Sequence, residues 1–110
     1  MTIKTNENTI DYEQNDTHKG GALIDSSTGA INGFSMGVSE YFADEFGKAG
    51  IHEDQEGFYV IEGNGSALIG KKEFNINKGD SFLVPANTEH VLRKDKNCEI
   101  LKVLWSHGAI

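Results

Sequence analysis

Residues 50–63 read GIHEDQEGFYVIEG and contain both a strand signal and the first candidate site residues. The second half, Phe58–Glu62, is a short run of aromatic and β-branched residues that stops at a glycine, which is typical of a β-strand. The first half places His52 and Glu56 four residues apart. Side chains at this separation lie on one face of an extended chain, so the two groups can point the same way. The polar residues 53–55 could equally form a turn, and either geometry lets the pair converge.

The strand pattern continues on both sides of this stretch. The chain has 13 glycines and one proline, and the glycines separate short apolar runs, which predicts an all-β sandwich or barrel. Asn64-Gly65 indicates a two-residue hairpin, because both residues tolerate positive φ. Ser39–Phe46 also fits a helical turn. The predicted strands are Ala22–Ile24, Phe34–Phe42, Phe58–Glu62, Ser66–Ile69, Glu73–Ile76, Ser81–Val84, His90–Arg93 and Cys98–Trp105.

The length and charge of the chain limit its organisation and its partners. A chain of 110 residues forms one domain with one core. Residues 1–20 are polar and are predicted to be a disordered tail or an arm exchanged between subunits, and residues 21–110 to be the barrel domain. A net charge of −7 argues against nucleic acid as a partner. No apolar run is long enough to span a membrane. The single cysteine, Cys98, and the absence of a signal-peptide pattern predict a cytoplasmic protein.

Two predicted strands are apolar on both faces. Phe58 and Val60 face one way while Tyr59 and Ile61 face the other, and residues 100–105 repeat this pattern. A sheet with one wet face would alternate apolar and polar residues. A chain of this size has one interior, so the second cover is most simply a partner subunit, and we expect a homodimer.

Residues 79–90, GDSFLVPANTEH, supply a second candidate histidine. Gly79 opens a strand, and Pro85 ends it because proline cannot donate a ladder hydrogen bond. Asn87 can adopt the left-handed conformation before His90. Two imidazoles and a carboxylate with open positions are the ligand set of non-haem iron sites. Spacing alone is weak evidence for such a site.

The two stretches resemble the two motifs of the cupin family of small β-barrels. The first motif runs glycine, five residues, His-x-His, three or four residues, glutamate, six residues, glycine. His52, Glu56 and Gly63 fit its second histidine, its glutamate and its final glycine. The resemblance implies a cupin-like β-barrel, also described as a double-stranded β-helix or jelly roll.

The second cupin motif runs glycine, five residues, Pro-x-Gly, two residues, histidine, three residues, asparagine. Gly79, Pro85 and His90 fit it in order. The 15 residues 64–78 separate the motifs, a spacing similar to that of microbial cupins. The motifs cover residues 44–94, and the flanking strands extend the resemblance to about residues 23–105.

Four positions depart from the family pattern: Asp44, Gly50, Asn87 and Lys94. Asn87 in place of the second motif's glycine is a conservative change, because asparagine also tolerates positive φ. Gly50 stands at the first histidine, which reduces the family's three-histidine, one-glutamate set to His52, Glu56 and His90. Asp54 could stand in if the segment stays extended. We expect it instead in a turn, exposed to solvent.

The resemblance also implies a ligand cavity inside the barrel. Phe58, Val60, Phe82 and Trp105 are predicted core positions, and pockets are mostly apolar with a few polar anchors. His107 follows in phase with Trp105 and reaches the cavity if that face points inward; otherwise it is a solvated histidine near the C-terminus. These five residues are the candidate substrate-binding residues, whereas His18 is expected in the polar tail.

The family includes isomerases, dioxygenases, decarboxylases and simple binders, so the resemblance leaves the reaction open. The prediction is a divalent transition metal (iron, manganese, zinc or nickel) held by His52, Glu56 and His90 beside a small polar metabolite. Its enzymatic form is a dioxygenase or an isomerase, with no catalytic residue assigned. The alternative is a metal-free module that binds a sugar or small acid through the same three residues.

Overall fold

The computed structural model describes residues 3–108, which form short strands and one 3-10 turn at Ser26–Thr28. No helix in this part of the chain is long and apolar enough to cross a membrane. The strands are β1 (Glu13–Gln14), β2 (His18–Ile24), β3 (Ser35–Tyr41), β4 (Gln55–Glu62), β5 (Asn64–Ile69), β6 (Lys72–Asn77), β7 (Ser81–Val84), β8 (His90–Lys94) and β9 (Leu101–Gly108).

The strands form two antiparallel sheets. The larger sheet has the order β1-β2-β3-β9-β4-β7, and the smaller has the order β6-β5-β8. Strand β9 lies between β3 and β4, with Trp105 opposite both Gly37 of β3 and Phe58 of β4. The same register sets His107 opposite Glu56. The central strand of the larger sheet therefore carries two candidate site residues toward β4.

The inward faces of both sheets share one core. Phe58, Val60, Val84, Leu101 and Val103 of the larger sheet pack with Ala67, Ile76 and Leu92 of the smaller. Each of these eight side chains is buried. They come from six different strands, so burial of this apolar surface holds the two sheets face to face. The predicted all-β jelly-roll barrel is confirmed.

The strand boundaries follow the prediction closely in the middle of the chain and less well near its ends. Ser81–Val84 is as predicted. Strand β2 begins at His18 rather than Ala22, because Gly20 and Gly21 continue the register with β3. The predicted boundary between tail and barrel therefore falls inside β2. The alternative helical turn over residues 39–46 is wrong, since that stretch contains the end of β3 and no helix.

The predicted hairpin at Asn64-Gly65 is also wrong. Both residues lie inside β5, where Gly65 is buried and a Cβ on it would lie 1.9 Å from the Arg93 carbonyl oxygen. The chain turns one residue earlier, at Gly63, whose φ is 83°. The two-residue hairpin lies instead at residues 70–71, between β5 and β6. Close backbone contact, rather than a turn, explains the glycine at position 65.

Residues 3–20 pair and pack with strands of the larger sheet. Strand β1 pairs with β2. Thr5 Oγ1 donates a hydrogen bond of 2.7 Å to the Leu23 carbonyl oxygen. Glu7 forms an ion pair with Lys102 of β9. The segment expected to be a tail or an exchanged arm therefore lies along the larger sheet.

Candidate metal centre

Backbone hydrogen bonds bring the two motif segments together at one end of the barrel. Gly50 and His90 exchange two of them, each 2.9 Å between nitrogen and oxygen. Asn87, in the left-handed conformation with φ of 59°, donates from its backbone nitrogen to the His52 carbonyl oxygen at 2.8 Å. His52 therefore lies beside the start of β8, and Glu56 follows on β4.

The three predicted ligands lie together, with both histidines in contact with the Glu56 carboxylate. His52 Nε2 lies 3.0 Å and His90 Nε2 lies 3.1 Å from the same oxygen, Oε1. His107 Nε2 lies 2.9 Å from the other oxygen, Oε2. The Glu56 side chain is only 6% exposed. One buried carboxylate is thus shared by three imidazoles, of which the sequence prediction assigned two to a metal.

The other nitrogen of each ring also faces an acceptor. His52 Nδ1 lies 2.8 Å from Asp54 Oδ1, and His107 Nδ1 lies 3.1 Å from the same oxygen. His90 Nδ1 lies 3.2 Å from the Thr88 carbonyl oxygen. A neutral imidazole has one N–H, so it can donate to only one of its two acceptors. With protons on Nδ1, three Nε2 lone pairs face a carboxylate, which requires an extra proton on each ring or a cation among them.

The donor set fits such a cation. Two ligand atoms that are each about 2.1 Å from one ion and at right angles lie about 3.0 Å apart. The contacts between imidazole nitrogens and the carboxylate span 2.9–3.1 Å. His52, Glu56 and His90 each offer one ligand atom within 4.8 Å of the others. Imidazole with carboxylate suits iron, manganese, zinc and nickel.

The surroundings shift two pKa values in this cluster. Burial disfavours the charged form of His90, but hydrogen bonds with Glu56 and the Thr88 carbonyl, together with the Glu56 charge, raise the pKa of His90 above 6.5. Burial likewise opposes the charged form of Asp54. A hydrogen bond from His107 and the charges of His107 and His52 outweigh it and lower the pKa of Asp54 below 3.8.

The expectation that Asp54 is exposed to solvent is wrong. The chain does bend at residues 53–54, as expected. The bend directs the Asp54 side chain back toward His52 and His107, where it is 15% exposed. Whether a bend points a carboxylate outward or inward depends on what packs beside it, and here β9 supplies the partner.

A cavity of about 240 Å³ adjoins the cluster. Phe58, Trp105 and His107 line it, as three of the five candidate substrate-binding residues. Val60 has no exposed surface and lies in the core. Phe82 stacks on Phe58 at 5.0 Å between ring centroids, outside the residues that line this cavity. The structure therefore brings three of the five to the cavity and leaves two behind its wall.

Three further residues of the cavity were not predicted from the sequence: His18, Ser39 and Tyr41. His18 stacks on Tyr41 with ring centroids 4.6 Å apart, and burial lowers the pKa of His18. Ser39 Oγ accepts a hydrogen bond of 3.0 Å from Trp105 Nε1. Ser39 and Tyr41 alternate on one face of β3, so strand phase could have found them. His18 has polar neighbours in sequence and gives no such signal.

An antiparallel barrel with imidazoles and a carboxylate gathered at one end defines a small β-barrel protein with a candidate metal centre. Residues 43–107 match the Cupin domain family, which is more than half of the chain, and the protein belongs to that family. The resemblance drawn from the two sequence motifs is confirmed.

Similar proteins include enzymes. The acireductone dioxygenase of Leptospira biflexa serovar Patoc (strain Patoc 1 / ATCC 23582 / Paris) is 37% identical over 73 residues, which is 63% of this chain and 41% of that protein. The chain thus spans less than half the length of this relative. The polyketide cyclase RemF from Streptomyces resistomycificus superposes with a TM-score of 0.81 at 17% identity, over 97% of this chain and 79% of RemF. FeII HppE in complex with substrate superposes with a TM-score of 0.78 at 18% identity, over 96% of this chain and 60% of HppE.

Proposed function

We propose that the protein binds one divalent transition metal ion through His52, Glu56 and His90, and a small polar metabolite in the adjoining cavity. One observation carries the proposal. Imidazole Nε2 atoms lie 2.9–3.1 Å from a buried carboxylate while their Nδ1 atoms face other acceptors. A neutral ring has one N–H, so in this arrangement each ring aims a lone pair at one of its two acceptors; with the protons on Nδ1 those lone pairs face the carboxylate, and a cation between them removes the repulsion.

The ion we propose is iron, manganese, zinc or nickel. When bound, such an ion acts as a Lewis acid toward a ligand oxygen or, if it is iron, supports dioxygen chemistry. The fold neighbour HppE is known in an FeII form. The residues of this chain would orient the ligands and shield the site. Asp54 and the Thr88 carbonyl would accept the Nδ1 protons of the histidines, and Phe58 and Trp105 would exclude water from their side of the cavity.

The ligand we propose is small and oxygen-rich. The cavity of about 240 Å³ is smaller than the roughly 300–1,000 Å³ of drug-sized ligand sites. Phe58 and Trp105 provide apolar wall, and Ser39 and Tyr41 provide hydroxyls. Burial and the Glu56 charge raise the pKa of Tyr41, so its hydroxyl keeps its proton at neutral pH and can donate a hydrogen bond.

The enzymatic form of the proposal is a dioxygenase-type reaction on such a molecule, with an isomerase-type reaction as the second choice. The relative named acireductone dioxygenase supports the first choice, although the match covers 41% of that protein. Incubation of the metal-loaded protein with small enediols and hydroxyketones under oxygen, followed by oxygen-electrode measurement, tests it. Absence of oxygen consumption with every compound, together with isomerised product, favours the second choice.

Elemental analysis of the purified protein tests the metal directly. We expect close to one transition metal ion per chain, and loss of that ion in His52→Ala and in His90→Ala. His18→Ala is the matched control, because His18 lines the same cavity outside the Glu56 contacts. It is expected to keep the metal. Substoichiometric metal that neither cluster substitution changes would contradict the proposal.

A metal-free binding module is the second candidate. Two observations favour it: Gly50 stands at the family's first histidine, and no buried side-chain nitrogen or oxygen within residues 3–108 lacks a hydrogen-bond partner. The same three residues would then hydrogen-bond a sugar or small acid. In that case His90→Ala changes the affinity for such a ligand, measured by calorimetry, while the metal content of the wild type stays near zero.

We also propose that the protein is a homodimer. On the outer face of the larger sheet Tyr59 is 48% and Leu83 is 56% exposed. Their neighbours Leu104 and Met36 line a shallow groove with them. A second copy would remove this apolar surface from water. Light scattering at micromolar concentration is expected to give the dimer mass, and Leu83→Glu the monomer mass. A monomeric wild type argues against the dimer.

A cytoplasmic location is proposed from the chain's single cysteine, Cys98, which is not in a disulfide. Cell fractionation with detection of the untagged protein checks this. Recovery in the extracellular or periplasmic fraction would exclude it.

A further inference from the structure

His107 lies where the cluster can gain a ligand. The family's first histidine is Gly50 in this chain. His107 is carried by β9, directly opposite Glu56, and its Nε2 lies 2.9 Å from Glu56 Oε2. This contact is as short as those of His52 and His90 with the other carboxylate oxygen. His107 therefore meets the same group by a different strand.

We propose that His107 is a fourth ligand of the ion, so that β9 supplies the histidine that position 50 lacks. The inference rests on the proposed metal-binding function and assigns His107 to the ion rather than to the substrate. It restores a set of three imidazoles and one carboxylate. Such a set leaves fewer open positions than three ligands do, and it holds the ion more tightly.

Asp54 supports this assignment through the far side of the ring. Its Oδ1 lies 3.1 Å from His107 Nδ1 and 2.8 Å from His52 Nδ1. A carboxylate that accepts the Nδ1 proton leaves the Nε2 lone pair available to a metal and fixes the orientation of the ring. The Asp54 carboxylate thus sets the tautomer of both His52, which precedes β4, and His107 of β9.

Packing also holds the His107 ring in place. The indole of Trp105 meets it edge-on, with ring centroids 5.3 Å apart and an interplanar angle of 89°. The centroid of the His52 ring lies 4.4 Å from that of His107, and the two rings are tilted relative to each other. The side chain of His107 is 21% exposed. A ring held by two aromatic neighbours and a carboxylate keeps Nε2 toward Glu56 without the entropy cost of ordering a mobile side chain.

Titration of the metal-free protein with Co²⁺ tests the ligand role. We expect His107→Gln to weaken Co²⁺ binding by more than the roughly 10–100-fold that loss of an outer hydrogen bond typically causes. The visible absorption spectrum of the remaining Co²⁺ complex is expected to change, because a ligand is lost. Asp54→Asn is the matched control for an outer group: it should weaken binding within about 10–100-fold and keep the wild-type Co²⁺ spectrum.

A second substitution asks whether the histidine can be returned to its usual place. A Cβ on Gly50 would have His90 Cε1, at 3.9 Å, as its nearest neighbour, so a side chain fits there beside the cluster. We expect Gly50→His to recover at least about tenfold of the Co²⁺ affinity lost in His107→Gln, because it returns a third imidazole and a ligand is worth at least as much as an outer hydrogen bond.

The outcomes separate the two proposals. Wild-type protein that binds no Co²⁺ overturns the proposed function. Wild-type protein that binds Co²⁺ as tightly as His107→Gln, with the same spectrum, overturns only the role of His107. If His107→Gln does not fold, as judged by circular dichroism, X-ray absorption of the wild-type Co²⁺ protein decides: three imidazole ligands support the inference and two overturn it.

Discussion

Replacing Gly37 with alanine tests how closely β9 fits against its neighbours. A Cβ at this position would lie 2.3 Å from the Gly21 carbonyl oxygen of β2 and 2.3 Å from Trp105 Cζ2 of β9. The first obstacle is backbone and cannot rotate away. The second is the Trp105 indole, which lines the cavity and donates a hydrogen bond to Ser39. The extra methyl group therefore has to push two paired strands or displace the Trp105 ring.

The magnitude follows from these two contacts. Overpacking of a close-packed interior costs about 1–3 kcal/mol, and a backbone obstacle places this substitution in the upper half of that range. A destabilisation of about 2 kcal/mol corresponds to a fall in Tm of roughly 8–16 °C for a domain of this size. Gly57→Ala is the matched control. A Cβ on Gly57 of β4 would have one neighbour within 4 Å, Ser106 Oγ of β9 at 3.7 Å, so this control faces the same strand without a clash. That substitution should be neutral or stabilise by about 0.4–1 kcal/mol.

Urea unfolding of the two variants provides the measurement. Trp105 is the only tryptophan, so its fluorescence reports on the ring that Gly37→Ala displaces, and far-ultraviolet circular dichroism reports on the sheets. We expect a lower unfolding midpoint and a shifted emission maximum for Gly37→Ala alone. Equal stability of Gly37→Ala and Gly57→Ala would refute the tight fit between β2, β3 and β9.

Three further predictions follow from burial, charge and pKa. Because the pKa of His90 is raised above 6.5, its proton stabilises the metal-free fold below about pH 6.5, and this contribution is lost as the pH rises through the folded-state pKa. The Tm of chelator-treated wild type relative to that of His90→Gln should thus fall as the pH rises above about 6.5, while metal affinity rises; a relative Tm that stays constant or rises with pH would contradict this. Leu101→Ala removes a fully buried side chain and should cost about 2–5 kcal/mol in urea unfolding; a loss below about 1 kcal/mol would show that the site collapses. Glu7→Gln breaks the partly exposed ion pair with Lys102, so stability should change by less than about 1 kcal/mol. Hydrogen exchange of residues 3–12 should nevertheless become faster, and unchanged exchange would show that other contacts hold this segment.

Sequence patterns placed a strand accurately where turn residues mark both of its ends. Ser81–Val84 has clear turn residues on both sides and was placed correctly. Asn64-Gly65 has the local chemistry of a hairpin, yet its position is set by β6 and β8, which pair with it on both edges. A glycine required by a close carbonyl and a glycine required by a turn are identical in sequence. The distinction needs the neighbouring strand.

The candidate site shows the same division. His52, Glu56 and His90 are brought together as their motif spacing predicted, whereas the strand phase of His107 left open both an inward position and a solvated one. The inward position of Asp54 depends on β9, which lies 53 residues further along the chain at His107. No local pattern encodes that contact. Motif spacing therefore predicted the centre of the cluster and missed the carboxylate on its far side.

The central place of β9 has a consequence for biosynthesis. Among the strands of residues 3–108 it leaves the ribosome after β1–β8, yet within that part of the chain it is the strand that joins β3 to β4 in the larger sheet. Until residues 101–108 emerge, β1–β3 and β4 with β7 are two fragments with unsatisfied edges, which are sites for intermolecular pairing. Completion of the barrel and delivery of His107 to the carboxylate are one event, so a nascent chain stalled before β9 lacks both.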